Sequence, residues 1–256
     1  MVLIICIVAF LASTLTFFSG FGLGTILTPV FAIFFPVEIA VSLTAIVHLL
    51  NNLFKMALVG VSRERAILIR FGIPSIVTSF LGAWTLKNLA GIQIHYTYTI
   101  GQFTLSTNPL KIAMAVLIIS FTLVELIPRF QKIQFSKKFL PLGGLISGFF
   151  GGFSGNQGAL RTMFLMKSGL SKESFIATGI TLACMLDLAR LPVYTSNYFK
   201  SGILENKWLI LTATLSAFAG AWIGSKLFRK ITLSFLQIIV SIGLILMGLL
   251  IGLGIV

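Results

Sequence analysis

Apolar residues along this chain come in long blocks, and polar residues gather in the gaps between them. The blocks fall at about 1–35, 38–61, 66–90 and 109–127, and again at about 139–167, 172–195, 207–228 and 231–256. A helix needs roughly 20 consecutive apolar residues to cross a bilayer. Six of the blocks suit one crossing each, but the leading block of each half is longer. Glycine interrupts both, in Gly20-Phe21-Gly22-Leu23-Gly24 and in Gly148-Phe149-Phe150-Gly151-Gly152-Phe153-Ser154-Gly155. The runs lack the regular alternation of an outer-membrane barrel strand. The pattern predicts an all-α integral membrane protein.

The two halves also match position by position. Phe18-Ser19-Gly20 recurs 135 residues later as Phe153-Ser154-Gly155. The same step carries Glu38 onto Glu173, Asn52 onto Asp187 and Lys55 onto Arg190, and a step of 138 carries Gly82-Ala83-Trp84 onto Gly220-Ala221-Trp222. The chain therefore divides into a first transmembrane repeat, 1–130, and a second, 131–256. Glycine-broken segments at corresponding places in two halves point to a binding site.

Charge changes the picture by setting orientation. The chain holds 19 Lys and Arg against 6 Asp and Glu, a net charge of +13, with only 10% of residues charged and 57% hydrophobic. A soluble domain is about a quarter charged. Most of the basic residues sit between apolar blocks, which is membrane orientation and not nucleic-acid binding. Lys55, Arg161 and Arg190 lie inside blocks, leaving 16 to count. If all eight blocks cross, those 16 split nine to seven. If each leading block enters and returns on its own side, twelve face one way and Lys87, Lys111, Lys200 and Lys207 face the other. The positive-inside rule favours the second arrangement. The expected fold is thus two inverted structural repeats, each a glycine-broken leading helix hairpin plus three transmembrane helices. Three crossings per half invert the second copy. The expected location is the cell (cytoplasmic or inner) membrane, as a multi-pass protein.

Unwound backbone inside a membrane is tolerated where it lines a cavity or is buried in protein. Where it meets a helix start, free N–H groups and the positive dipole end attract anions. Ser19, Gly20, Gly22, Gly24 and Thr25 fit that design in the first half, and Ser154, Gly155, Asn156, Gln157 and Gly158 in the second. Close packing by small residues is the structural alternative. The second block of each half adds a polar stripe at helical spacing. It holds Thr44, His48, Asn51, Asn52 and Lys55, and then Thr178 or Thr181, Asp187 and Arg190.

A charge inside a span is a functional candidate by default. Arg161 stands alone in an apolar run, and its planar guanidinium suits a carboxylate, sulfonate or sulfite head. Its structural alternatives are a facing carbonyl or Asp187. Asp187 and Arg190 could instead pair and hold the bundle, and Lys55 could snorkel. His48 is a proton-coupling candidate, with packing as its alternative. The chain has two histidines, two cysteines and no His-Glu-x-x-His signature, so no catalytic residue, metal site or cofactor is expected.

The glycine run Phe18–Gly24, with Pro29 nine residues after Gly20, resembles the opening of the TauE/SafE sulfite exporter family. Ser154-Gly155-Asn156-Gln157-Gly158-Ala159-Leu160-Arg161 resembles the second copy in one branch of that family, as does Phe175-Ile176-Ala177-Thr178 running on to Asp187 and Arg190. Leu23 stands where a glycine is frequent. The resemblance implies a carrier of sulfur oxyanions or organosulfonates such as sulfite or sulfoacetate. The expected function is secondary transport of such an anion by alternating access, with a passive anion channel as the alternative. The expected partners are a small anionic substrate and the lipid bilayer, and no nucleic acid. A coupling proton or cation and a homodimer are left open.

Overall fold

The structure, a computed structural model, describes residues 1–17, 22–59, 63–131, 133–196, 202–227 and 233–256. The long helices are α1 (Val2–Leu15), α2 (Leu23–Ala32), α3 (Val37–Val59), α4 (Arg65–Ala90), α5 (Pro109–Leu126), α6 (Leu140–Ser154), α7 (Gly158–Leu165), α8 (Lys172–Tyr194), α9 (Lys207–Leu227) and α10 (Leu233–Gly252). Among the described residues, α3, α4, α5, α8 and α9 are long and apolar enough to cross a membrane. This is the all-α membrane fold the hydrophobic blocks predict.

Each leading block is two short helices. At 1.5 Å per residue, α1 is about 21 Å long, α2 about 15 Å, α6 about 22 Å and α7 about 12 Å, all short of a hydrocarbon core of roughly 30 Å. Helix ends follow local chemistry. Gly155 takes φ +81°, the left-handed conformation that ends a helix, and so closes α6. Pro109 sits in the first turn of α5, where the cap residue Asn108 accepts the N–H of Lys111 at 2.8 Å. Ser171 caps α8 by accepting the N–H of Ser174 at 3.2 Å.

Packing crosses between the halves in matched pairs. Helix α1 lies on α9 and α6 lies on α4, while α3 packs on α8 and α5 on α10. Helices α3 and α8 form the centre: 67% and 61% of their apolar windows are buried, against 33–39% for α4, α5 and α9. Outward faces of the outer helices carry exposed Val77, Trp84, Leu215 and Trp222, as lipid contact requires.

The run Gly148–Ser154, expected to interrupt the leading block, is helical. Its glycines serve close approach: a Cβ on Gly144, Gly148 or Gly152 would strike the backbone of Phe71, Ser75 or Ser79 of α4. The break is shorter, at Gly155-Asn156-Gln157. A two-stranded hairpin, β1 (Tyr96–Ile100) and β2 (Phe103–Thr107), occupies the gap before α5, with Ile100 opposite Phe103. The Tyr98 hydroxyl donates to the Leu253 carbonyl at 2.6 Å.

Candidate functional site

The two broken segments meet at the centre. A Cβ on Gly24 would lie 3.3 Å from the Gly155 carbonyl oxygen, and one on Gly155 would lie 3.4 Å from Thr28 Oγ1. Beside this contact is a cavity of about 50 Å³. At about 15 Å³ per water it has room for roughly three waters or one small anion. Thr16 and Phe17 line it beyond the end of α1, Gly22 and Leu23 at the start of α2, and His48, Asn52 and Lys55 from α3. Helix α7 supplies Arg161, Thr162 and Leu165, and α8 supplies an apolar wall that includes Phe175 and Ile180.

Its electrostatics are one-sided. Lys55 is 3% exposed, donates to Thr16 Oγ1 at 3.4 Å, and has its Nζ 5.6 Å from the centre of the Phe17 ring. Arg161 Nη1 is buried with no hydrogen-bond partner among the described residues. Gly179 faces this guanidinium: a Cβ there would be in ordinary contact with Arg161 Nε, at 3.7 Å. Neither cation pairs with a carboxylate among the described residues. The nearby acid is committed elsewhere: Asp187 Oδ1 accepts Arg190 Nε at 3.0 Å and Nη2 at 2.7 Å, and Asp187 Oδ2 lies 2.6 Å from His48 Nδ1.

Matched against family models, residues 5–251 fit Sulfite exporter TauE/SafE. The chain belongs to this family. This TauE/SafE protein is therefore a multi-pass membrane transporter of sulfur-containing anions, and not an enzyme. No curated protein and no solved structure matches it.

Of the residues singled out in the TauE/SafE sequence, the cavity gathers Gly22, His48, Asn52, Lys55 and Arg161. Ser19 and Gly20 lie outside the described residues. The others stand behind the lining. Gly24 and Gly155 form the contact between the breaks. Thr25 is buried on α2, where its N–H reaches the Gly22 carbonyl at 3.0 Å. Asn51 Oδ1 accepts the Ser13 hydroxyl at 3.1 Å, which ties α3 to α1. Ser154 Oγ donates to the Phe150 carbonyl and accepts the Asn156 N–H. Gly158 begins α7. The side chains of Asn156 and Gln157 are buried with no hydrogen-bond partner among the described residues.

Asp187 and Arg190 form a buried pair, as their i,i+3 spacing allows. Arg190 Nη1 also donates to the Gly151 carbonyl at 2.8 Å, and the Tyr194 hydroxyl donates to the Gly152 carbonyl. Both carbonyls belong to the last turn of α6, where Gly151 O also accepts the Gly155 N–H at 3.0 Å and a cation complements the negative end of the helix dipole. Arg190 thus clamps the end of α6 and does not line the cavity. The alternative partnership of Arg161 with Asp187 is not made. Sequence reasoning missed Thr16, Phe17, Gly179 and the apolar wall. Gly179 adjoins the Thr178 of the polar stripe, and a small residue there could have suggested space for a neighbour. Thr178 instead accepts the Glu64 N–H at 3.0 Å.

Proposed function

We propose that this chain is a secondary transporter that moves a small sulfur oxyanion or an organosulfonate across the cytoplasmic membrane. One observation carries the reading: two cations, Lys55 and Arg161, face a small internal cavity without an acidic partner among the described residues. Buried charges are normally paired. The missing partner is a small anion, and the size of the cavity suits a sulfite or sulfonate head. Arg161 holds two oxygens of that head through its guanidinium fork. Lys55 adds a point charge, Asn52 and Thr162 supply neutral donors, and the start of α2 at Gly22–Leu23 contributes its positive dipole end.

Alternating access follows from rocking the repeat 1–130 against the inverted repeat 131–256 about this site. The matched packing of α1 on α9 and of α6 on α4 supports that symmetry. A thermal-shift screen tests the substrate, using sulfite, sulfate, sulfoacetate, taurine, isethionate and simple carboxylates. Sulfur oxyanions should stabilise the protein, and Arg161→Ala should abolish that stabilisation while leaving it folded. A preference for carboxylates would refute the sulfur assignment, and unchanged stabilisation in Arg161→Ala would remove Arg161 from the site. Counterflow in proteoliposomes separates a carrier from a passive channel.

A further inference from the structure

We propose that the anion is carried together with a proton, that His48 Nε2 is the atom that accepts this proton, and that Asp187 and Arg190 are its positioning residues. The proposal rests on the anion cavity described above and adds the coupling ion.

The geometry selects one nitrogen. Asp187 Oδ2 lies 2.6 Å from His48 Nδ1, and a carboxylate there takes the Nδ1–H. The lone pair is then left on Nε2. Asp187 is itself held by two Arg190 N–H groups on its other oxygen, while the third Arg190 contact anchors that side chain to Gly151 of α6. The carboxylate has no freedom to turn away, so the ring orientation is fixed from behind. In front, His48 lines the cavity. A Cβ on Gly22 would sit 3.9 Å from Nε2, and one on Gly24 would sit 3.8 Å from the ring Cδ2, so the Nε2 edge faces the start of α2.

Asn52 links proton to anion. Its Nδ2 lies 3.2 Å from both ring nitrogens, and Asn52 is itself a cavity residue. With neutral His48 the amide donates to the Nε2 lone pair. When Nε2 gains a proton, the amide turns over and presents its oxygen. In this step an O–H bond of a solvent hydronium breaks and the Nε2–H bond forms, releasing water, and the Asp187 carboxylate balances the imidazolium charge.

The charged groups around His48 set the sign. Lys55 stands two turns along α3, Arg161 comes from α7, and Asp187 with Arg190 comes from α8. The α1 and α2 residues at the cavity, Thr16, Phe17, Gly22 and Leu23, carry no charge. With the cavity empty, Lys55 and Arg161 oppose a third positive charge. An anion between them reverses that opposition, so anion and proton favour each other's binding, and linkage makes the effect reciprocal.

The test is titration calorimetry on the full chain in detergent, with isethionate, sulfoacetate and sulfate as probes. Their charges are constant over about pH 5.5 to 8.5, so any proton taken up belongs to the protein. Heats measured in buffers of different ionisation enthalpy count that proton. The expected result is uptake of close to one proton per anion on the alkaline side, with affinity falling about tenfold per pH unit there, as one linked proton requires. His48→Gln should abolish the uptake and flatten the profile, and His95→Gln, at the exposed second histidine outside the cavity, should retain the uptake. Anion binding with no proton uptake would overturn the proposal and leave the anion cavity standing. Failure of all three probes to bind would overturn the cavity reading as well. Uptake that persists in His48→Gln, or disappears in His95→Gln, would assign the proton elsewhere and overturn it. If His48→Gln fails to fold, His48→Asn takes its place, and with the wild-type uptake and His95→Gln it decides between these outcomes.

Discussion

Replacing Gly82 with alanine tests whether close helix approach, and not glycine's flexibility, explains the matched glycines. Gly82 sits on α4 against α6. A Cβ there would lie 2.8 Å from Phe153 N and 3.0 Å from Phe149 C, against 3.4 Å for ordinary contact, and it would strike the Phe149 carbonyl oxygen harder still. At Phe153 N alone the helices would have to part by about 0.6 Å. Both sides of the contact are backbone, so no side chain can turn aside. Overpacking of this kind costs about 1–3 kcal/mol. The upper end applies here, because Gly144, Gly148 and Gly152 make the same approach along the same interface. Helix propensity returns about 1 kcal/mol on replacing glycine by alanine, leaving a net loss of roughly 2 kcal/mol. Gly243 on α10 is the internal control: a Cβ there meets no described atom within 4 Å, so Gly243→Ala should be neutral or stabilising by up to about 1 kcal/mol. Gly220→Ala should behave like Gly82→Ala, because its Cβ strikes the Phe10 carbonyl of α1. Size-exclusion of detergent-solubilised protein after stepwise heating reads all three. Equal melting points for Gly82→Ala and Gly243→Ala would refute the close-approach explanation.

Asp187→Asn should destabilise the protein by about 3–5 kcal/mol, because Arg190 is left buried without its counter-charge; thermal melting of Asp187→Asn beside Arg190→Met checks this, and wild-type stability would refute it. Gly155→Ala forces a Cβ into the left-handed conformation, for which about 1–2 kcal/mol is expected, measured in the same assay. Tyr98→Phe removes one hydrogen bond to the Leu253 carbonyl and should cost at most about 1 kcal/mol. Single cysteines at Arg63 and Lys226 should label from the same side of the membrane if the repeats are inverted, and labelling from opposite sides would end that topology.

Long elements were legible where length and apolar content decide. The block at 172–195 became Lys172–Tyr194, and the block at 38–61 became Val37–Val59. The run Gly148–Ser154 was misread because intrinsic propensity disfavours glycine in helices, while close packing of backbone on backbone demands it. The hairpin at 96–107 had a visible signal, the alternation Tyr96-Thr97-Tyr98-Thr99 before a glycine turn, which a search for apolar spans passes over. At the site, lone charges in apolar runs led to Lys55 and Arg161, because desolvation makes such residues rare. The contact of His48 with Asp187 spans 139 positions and no local spacing encodes it. The apolar wall of α8 was silent, since Phe175 and Ile180 look the same whether they face lipid, protein or a ligand.

The exchange of partners between the halves has a consequence for biosynthesis. Helix α1 seats on α9, so it leaves the ribosome long before its mate exists. Meanwhile α3, with His48, Asn51, Asn52 and Lys55 along it, has no α8 to shield those groups from acyl chains. A nascent chain halted after residue 130 is therefore a poor lodger in lipid. Its survival depends on the insertion machinery keeping it sheltered until the second half arrives.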